Sequence, residues 1–280
     1  MIIYRYDTFL IGGWLRIRSY SVTQIRLDYF MTLLSVNVNK VAVLRNSRGG
    51  ALPSVLDAAQ VAIAAGAGGI TVHPRPDQRH ILASDVRDLA KWLANKVEFN
   101  IEGNPFAAAR GNYPGLLSLV QETRPTQVTL VPDVDGQITS DHGFNLEQDA
   151  ERLRSVIAAL KPFCGRISLF VDQDVKKLSL AQELGAQRIE IYTGPFADSF
   201  EKDAAANDLA ACLETAEHAQ RLGLGVNAGH DLNQKNLLSF LTALPMTREV
   251  SIGHALFNDA LYDGLYATVQ NYLRVISAAH

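Results

Sequence analysis

The run ITVHPRPDQRH, residues 70–80, ends a β-branched stretch in His73 and places Arg75, Arg79 and His80 close behind it. An imidazole titrates near neutrality and can both take and give protons, so a histidine at a strand end suits acid–base work. A second run, residues 97–101, is followed by Glu102 and then by Gly103, Asn104 and Pro105, which force the chain to turn. Partial removal of a carboxylate from water raises its proton affinity, and such a group can act as base on a C–H or N–H bond. In VNAGH, residues 226–230, a small turn carries His230 toward any substrate held above the same strands, as a second general acid. In SIGHAL, residues 251–256, Gly253 and His254 lead straight into a helix, whose free N–H groups and positive dipole end hold anions. The loop LRNSRGG, residues 44–50, adds two arginines whose planar forks fit phosphate oxygens. With the cationic cluster of Arg75 and His80 at the other side, two phosphate groups can be seated.

Each feature has a plainer counterpart: a loop-capping histidine, a Glu102–arginine ion pair, a tightly packed glycine, a solvated charged loop. Their joint position at strand ends favours chemistry, provided one architecture brings those ends together. From residue 31 onward, short β-branched runs alternate with longer patterns of three- and four-residue apolar spacing, the signature of repeated βα units. Eight strands are expected at 33–38, 69–72, 97–101, 127–131, 166–170, 188–192, 225–227 and 249–252. Helices are expected at 54–65, 84–94, 113–122, 146–160, 173–184, 200–222, 233–241 and 255–276, the first opened by Ser54 and stopped by Gly66. Eight such units close into a (β/α)8 TIM barrel of the α/β class, where active sites occupy the C-terminal strand ends. Those ends carry Asn37, Asn39, His73, Arg75, Glu102, Asp133, Asp172, Thr193, His230, Gly253 and His254. An open doubly wound sheet lacks support, because no GxGxxG fingerprint occurs.

The 280 residues suit one barrel, residues 31–280, preceded by residues 1–30, which show scattered aromatics and arginines without sustained period. We read residues 1–30 as an N-terminal extension or a misassigned start, the latter making Met31 the initiator; the plainer counterpart is a genuine N-terminal strand or helix packed on the barrel bottom. Apolar residues make up 48% and charged residues 20%, and the formal charge is −3, so the basic excess of a nucleic-acid binder is missing. Cys164 and Cys212 form no CxxC or metal-ligand spacing, which fits a reducing cytoplasm. The apolar stretch 9–15 is too short to span a bilayer, and no membrane association is expected.

Taken in order, VNVNKVAVLRNSRGG, GITVHPRPDQRH, FNIEGNP, VNAGH and IGHA resemble the pyridoxine 5′-phosphate synthase family, from about residue 33 to the C-terminal helix. The resemblance implies a (β/α)8 homo-octamer built from dimers that acts without metal or organic cofactor. It implies condensation of 3-amino-2-oxopropyl phosphate with 1-deoxy-D-xylulose 5-phosphate to pyridoxine 5′-phosphate, inorganic phosphate and water. By motif, His73 and Glu102 are the proton acceptors and His230 the donor. Asn37, Arg48, Gly253 and His254 hold the aminoketone phosphate, and Asn39, Lys40, Arg75, His80 and Thr139 contact the deoxyxylulose phosphate; at Asp231 the backbone N–H can still bind substrate, whereas the carboxylate repels phosphate unless turned away. Three departures stand out: Asn39-Lys40 replaces a common Asp-His pair, Asp231 stands where glycine is frequent, and residues before Met31 have no counterpart.

Two other readings use the same residues. A cluster of His73, His80, Glu102 and His230 can bind a metal in a sugar-phosphate aldolase or isomerase, although the neighbouring arginines oppose a dication. A regulatory barrel can keep the anion seats without turnover.

Overall fold

The structure, a computed structural model, describes residues 5–11, 14–20, 31–173 and 176–280. The chain divides into two compact units, residues 1–30 and 31–280. In the first, β1 (Arg5–Ile11) and β2 (Trp14–Tyr20) pair antiparallel, from Arg5 opposite Tyr20 to Ile11 opposite Trp14. The remainder of residues 1–30 lies outside the described residues, so the reading of this stretch as an extension or misassigned start falls largely there.

The second unit is a closed barrel of eight parallel strands: β3 (Leu33–Asn37), β4 (Gly69–Val72), β5 (Glu98–Gly103), β6 (Gln127–Leu130), β7 (Arg166–Val171), β8 (Arg188–Ile191), β9 (Gly225–Ala228) and β10 (Thr247–Ile252). Each pairs with its sequence neighbour, and β10 pairs with β3, Glu249 opposite Leu33 through Ile252 opposite Val36, to close the ring. Alternation along each strand sorts the side chains. Leu34, Val36, Ile70, Val72, Ile101, Val128, Leu130, Ile167, Leu169, Ile189, Val226 and Val250 are wholly buried and form one core with the helices. Most of the intervening residues are polar, with Phe170 an apolar exception, and they belong to the barrel interior.

Much of that interior is hydrogen-bonded across strands. Ser35 and Thr71 hydroxyls lie 2.7 Å apart, Asn100 donates to Thr71, and Thr129 donates to Asn100 at 3.1 Å. Below them, Glu249 accepts from Arg188 at 3.0 Å and Asn227 at 3.2 Å and pairs with Arg166 at 3.4 Å; Arg166 also pairs with Glu98 and donates to Gln127 at 2.7 Å. A buried carboxylate persists only with such partners.

Around the barrel lie α1 (Asn39–Asn46), α2 (Val55–Ala64), α3 (Ala83–Leu93), α4 (Leu116–Thr123), α5 (Leu146–Leu160), α6 (Ser179–Glu183), α7 (Gly194–Ser199), α8 (Ala205–Arg221), α9 (Leu237–Ala243), α10 (His254–Asp263) and α11 (Leu265–Ala278). Ser54 caps α2 by accepting from the Asp57 N–H at 3.1 Å, and Asn145 caps α5 by accepting from Gln148 at 3.2 Å.

Four expectations need correction. The stretch read as a loop from residue 44 is helical through Asn46, and Arg45 is buried in α1 against Asp85 instead of reaching from a loop toward a phosphate. The helix expected over 173–184 is short, Ser179–Glu183. The single helix expected over 255–276 is two, divided at Gly264, whose φ of 78° is left-handed and ends α10. The third strand continues through Glu102 and Gly103, which pair with Thr129 and Leu130, so Glu102 sits within the strand and not beyond it.

Candidate active site

The C-terminal strand ends open into a cavity of about 490 Å³. Its lining includes Asn37, Asn39, Lys40, His73, Arg75, His80, Glu102, Thr139, His230, Asp231, Gly253 and His254. Arg48 is the one residue of the expected set that is not there; it lies exposed on the turn after α1.

His73 follows β4 and is buried, its backbone N–H donating to Asn39 Oδ1 at 2.9 Å. Asn39 thereby ties the start of α1 to the end of β4, a task any side-chain oxygen there can perform. His73 Nδ1 lies 3.9 Å from Glu102 Oε2, and its Nε2 lies 3.5 Å from Asp133 Oδ2. Burial, reinforced by the Arg75 charge, pushes the His73 imidazole down to about 3. Burial, reinforced by Asp133 and Glu249, pushes the Glu102 carboxyl up to about 8. Near pH 7 the contact therefore joins a neutral imidazole to a largely protonated carboxyl, not an ion pair. Asn37 Nδ2 donates to Glu102 Oε2 at 3.3 Å and fixes its rotamer.

The expected cationic cluster is altered by its partners. Burial and the nearby His73 push the His80 imidazole down to about 3, and its Nδ1 accepts from the Ile81 N–H at 2.9 Å, so His80 is a neutral ring. Arg75 is paired with Asp133 and also donates to the carbonyls of Val134 and Gln137, each at 3.2 Å. Arg79 pairs with Asp77 and donates to the Ile138 carbonyl at 3.2 Å. The two arginines thus hold the segment after β6 over the mouth, and Thr139 in that segment reaches His230 Nε2 at 2.8 Å.

His230 follows Gly229 at the end of β9. A Cβ on Gly229 would lie 2.1 Å from the Ser251 carbonyl oxygen, so only glycine lets this turn pass beside β10. Gly253 opens α10 without a side-chain cap, and both it and His254 line the cavity, so the helix start with its uncapped first turn borders that space. A Cβ there would meet Asn37 at 3.1 Å.

Two carboxyl groups of the lining received no role in the sequence reading. Glu190, on β8, is 4% exposed, lines the cavity and has an Oε2 without a hydrogen-bond partner. Burial, with Glu102 and Glu249 nearby, holds its carboxyl well above the usual range. Asp133 was noticed only as a strand-end residue, yet it contacts both His73 and Arg75. Among the described residues, no three His, Cys, Asp or Glu side chains are grouped to hold a metal ion.

The family model for pyridoxal phosphate biosynthesis protein PdxJ matches residues 34–278. The chain belongs to this family. It is 58% identical over 250 residues to the pyridoxine 5′-phosphate synthase of Xanthomonas axonopodis pv. citri (strain 306), covering 89% of this chain and 98% of that one. It is 56% identical over 250 residues to the pyridoxine 5′-phosphate synthase of Xylella fastidiosa (strain 9a5c), covering 89% and 96%. Among solved structures, the thiamine phosphate pyrophosphorylase from Pyrococcus furiosus superposes with a TM-score of 0.55 at 10% identity, covering 89% of this chain and 96% of that one. This likeness concerns the barrel alone. The PdxJ match spans every residue of the cavity lining named above.

Proposed function

We propose that the chain is a pyridoxine 5′-phosphate synthase, joining 3-amino-2-oxopropyl phosphate to 1-deoxy-D-xylulose 5-phosphate with release of inorganic phosphate and water. The supporting observation is that His73, Glu102 and His230 share one cavity with the open N-terminus of α10, in a chain 56–58% identical to proteins of that name. In this reading the first-turn N–H groups of α10 at Gly253 and His254 seat the aminoketone phosphate, with Asn37 and the Asp231 backbone beside it. Phosphate seats after the last strands recur in this architecture. Asn39, Lys40, Arg75, His80 and Thr139 face the deoxyxylulose ester, Lys40 as an exposed ammonium and His80 as a neutral ring.

The substrate amine attacks the ketone, and His230 delivers protons as water leaves and the imine forms. His73, uncharged across the physiological range, accepts a proton readily released again. Glu102, ionising near 8, takes a proton from carbon in a later step, and the closed segment after β6 keeps bulk water from the imine. Glu190 faces the same space with its carboxyl held well above the usual range by burial, and in its protonated form donates a hydrogen bond to oxygen that gains charge. Arg48, outside the cavity of its own chain, serves as a phosphate ligand only if a homo-octamer carries its exposed turn to a neighbouring copy. Residues 31–280 are proposed to hold the whole catalytic unit, working in the cytoplasm.

The decisive assay is incubation of the purified protein with both esters while following pyridoxine phosphate absorbance and phosphate release. Stoichiometric appearance of both is expected; absence of product from either a metal-free or a metal-supplemented reaction overturns the assignment.

A further inference from the structure

Asp231 stands next to His230, and its carboxylate points at the histidine ring and not across the cavity. Its Oδ2 lies 2.8 Å from His230 Nδ1. Burial alone raises the Asp231 carboxyl, but the hydrogen bond from His230 and the charges of His230 and His254 hold it below its ordinary value. An ionised carboxylate can only accept, so Nδ1 carries the proton. The other nitrogen, Nε2, lies 2.8 Å from Thr139 Oγ1 and accepts that hydroxyl proton when the ring is neutral. Tyr192 packs against the ring edge at 5.7 Å between centroids and Phe170 lies at 6.4 Å, so the ring is also confined laterally.

We infer that Asp231 is the positioning residue of His230: it fixes the Nδ1–H tautomer and leaves Nε2 as the nitrogen that exchanges a proton with a ligand in the cavity. The hydrogen bond turns the carboxylate toward the ring, and its negative charge is compensated only in the protonation states in which the ring is an imidazolium. The inference rests on the reading that His230 moves a proton during ring formation. Besides Asp231, the titratable groups around the pair are His73 after β4, Tyr192 after β8, His254 from α10, and Asp198, Asp141 and Asp172, whose charges reach Tyr192.

The experiment is nitrogen NMR of the imidazoles in the full chain labelled with ¹⁵N-histidine, read with His230→Asn as the assignment control. The native protein is expected to show His230 with Nδ1 protonated. In Asp231→Asn, whose amide N–H can donate to Nδ1, the Nε2–H form is expected to become the major tautomer. A native ring protonated on Nε2, or a tautomer indifferent to Asp231→Asn, overturns the inference without recourse to activity. In turnover with both esters, Asp231→Asn is expected to lower kcat by about 10²-fold, the scale of one general acid, while KM changes little. A raised KM with native kcat would instead make Asp231 a direct substrate contact. Added to His230→Asn, the Asp231→Asn change is expected to cost nothing further, because residues acting as one unit are not additive. Native protein with the stated tautomer but no product refutes the synthase reading and leaves the role of Asp231 in place.

Discussion

Glu102 and His73 show how burial sets chemistry at the scale of single residues. Each is neutral near pH 7 for the same reason, loss of water around the charged form, although one is an acid and the other a base. As the proposed base, a carboxyl pushed up to about 8 is ionised in only about a tenth of the molecules at pH 7. We therefore expect kcat/KM, which reports the free enzyme, to rise with pH and level off above about 8. Glu102→Gln should remove that limb and lower kcat by about 10³-fold while binding of the phosphate esters persists; near-native turnover would end its role as base. His73, Glu102 and His230 were legible because each adjoins a β-branched run and a turn. Glu190 was not, and the reason is physical: in RIEIY the charged residues alternate with apolar ones, a pattern that ordinarily marks a face toward solvent. In a closed barrel the face away from the helices is the lumen, so the same alternation buries the carboxyl.

At the scale of elements, the strands were the most legible part, since apolar residues recur at alternate positions along them, with Arg248 in β10 an exception. Helix α5 agrees at both ends because Asn145 and the acidic first turn mark its start. α1 was hidden: Val38 gives no side-chain cap and the run NKVAVLRN flows into NSRGG, whose breakers dominate the reading. The division of α10 from α11 was signalled by Gly264 and overlooked because apolar spacing resumes directly after it. Gly229 is where an element boundary and the site meet. Gly229→Ala places a methyl group against the Ser251 backbone, so β9 and β10 must separate. Urea unfolding is expected to show a loss of at least about 2 kcal/mol, with activity falling further than stability because His230 moves with the turn. An unaffected midpoint and rate would show that the turn yields without strain.

For the whole molecule, buried titratable groups predict a stability maximum on the acid side of neutrality. Glu102, Glu190 and Glu249 have raised values in the folded state; their contribution is complete below the ordinary 4.5 and lost as pH climbs, for Glu102 through about 8. His73 and His80 have lowered values; their contribution is complete above 6.5 and lost as pH falls toward about 3. The opposing slopes overlap between 4.5 and 6.5, and unfolding free energy measured from pH 3 to 9 should peak there. Glu102→Gln should flatten the alkaline side only; a native-like alkaline fall in that variant would place the linkage elsewhere. The unit over residues 31–280 contains the full family match, so a chain starting at Met31 is expected to keep its fold and a kcat within about threefold of the full chain, the tolerance usual for terminal trimming. Loss of activity on such trimming would assign residues 1–30 a part in the catalyst.

The charge network beneath the cavity bears on how such a barrel is assembled. Glu249 comes from the last strand, whereas the guanidinium groups that neutralise it come from β7 and β8, and Glu98, which shares Arg166, comes from β5. A sheet missing its final strand leaves those cations mismatched in a low-dielectric interior, and a final strand without the sheet carries an unshielded anion into it. Half-built barrels are therefore poor resting places for this chain, and ring closure and charge neutralisation become one cooperative event.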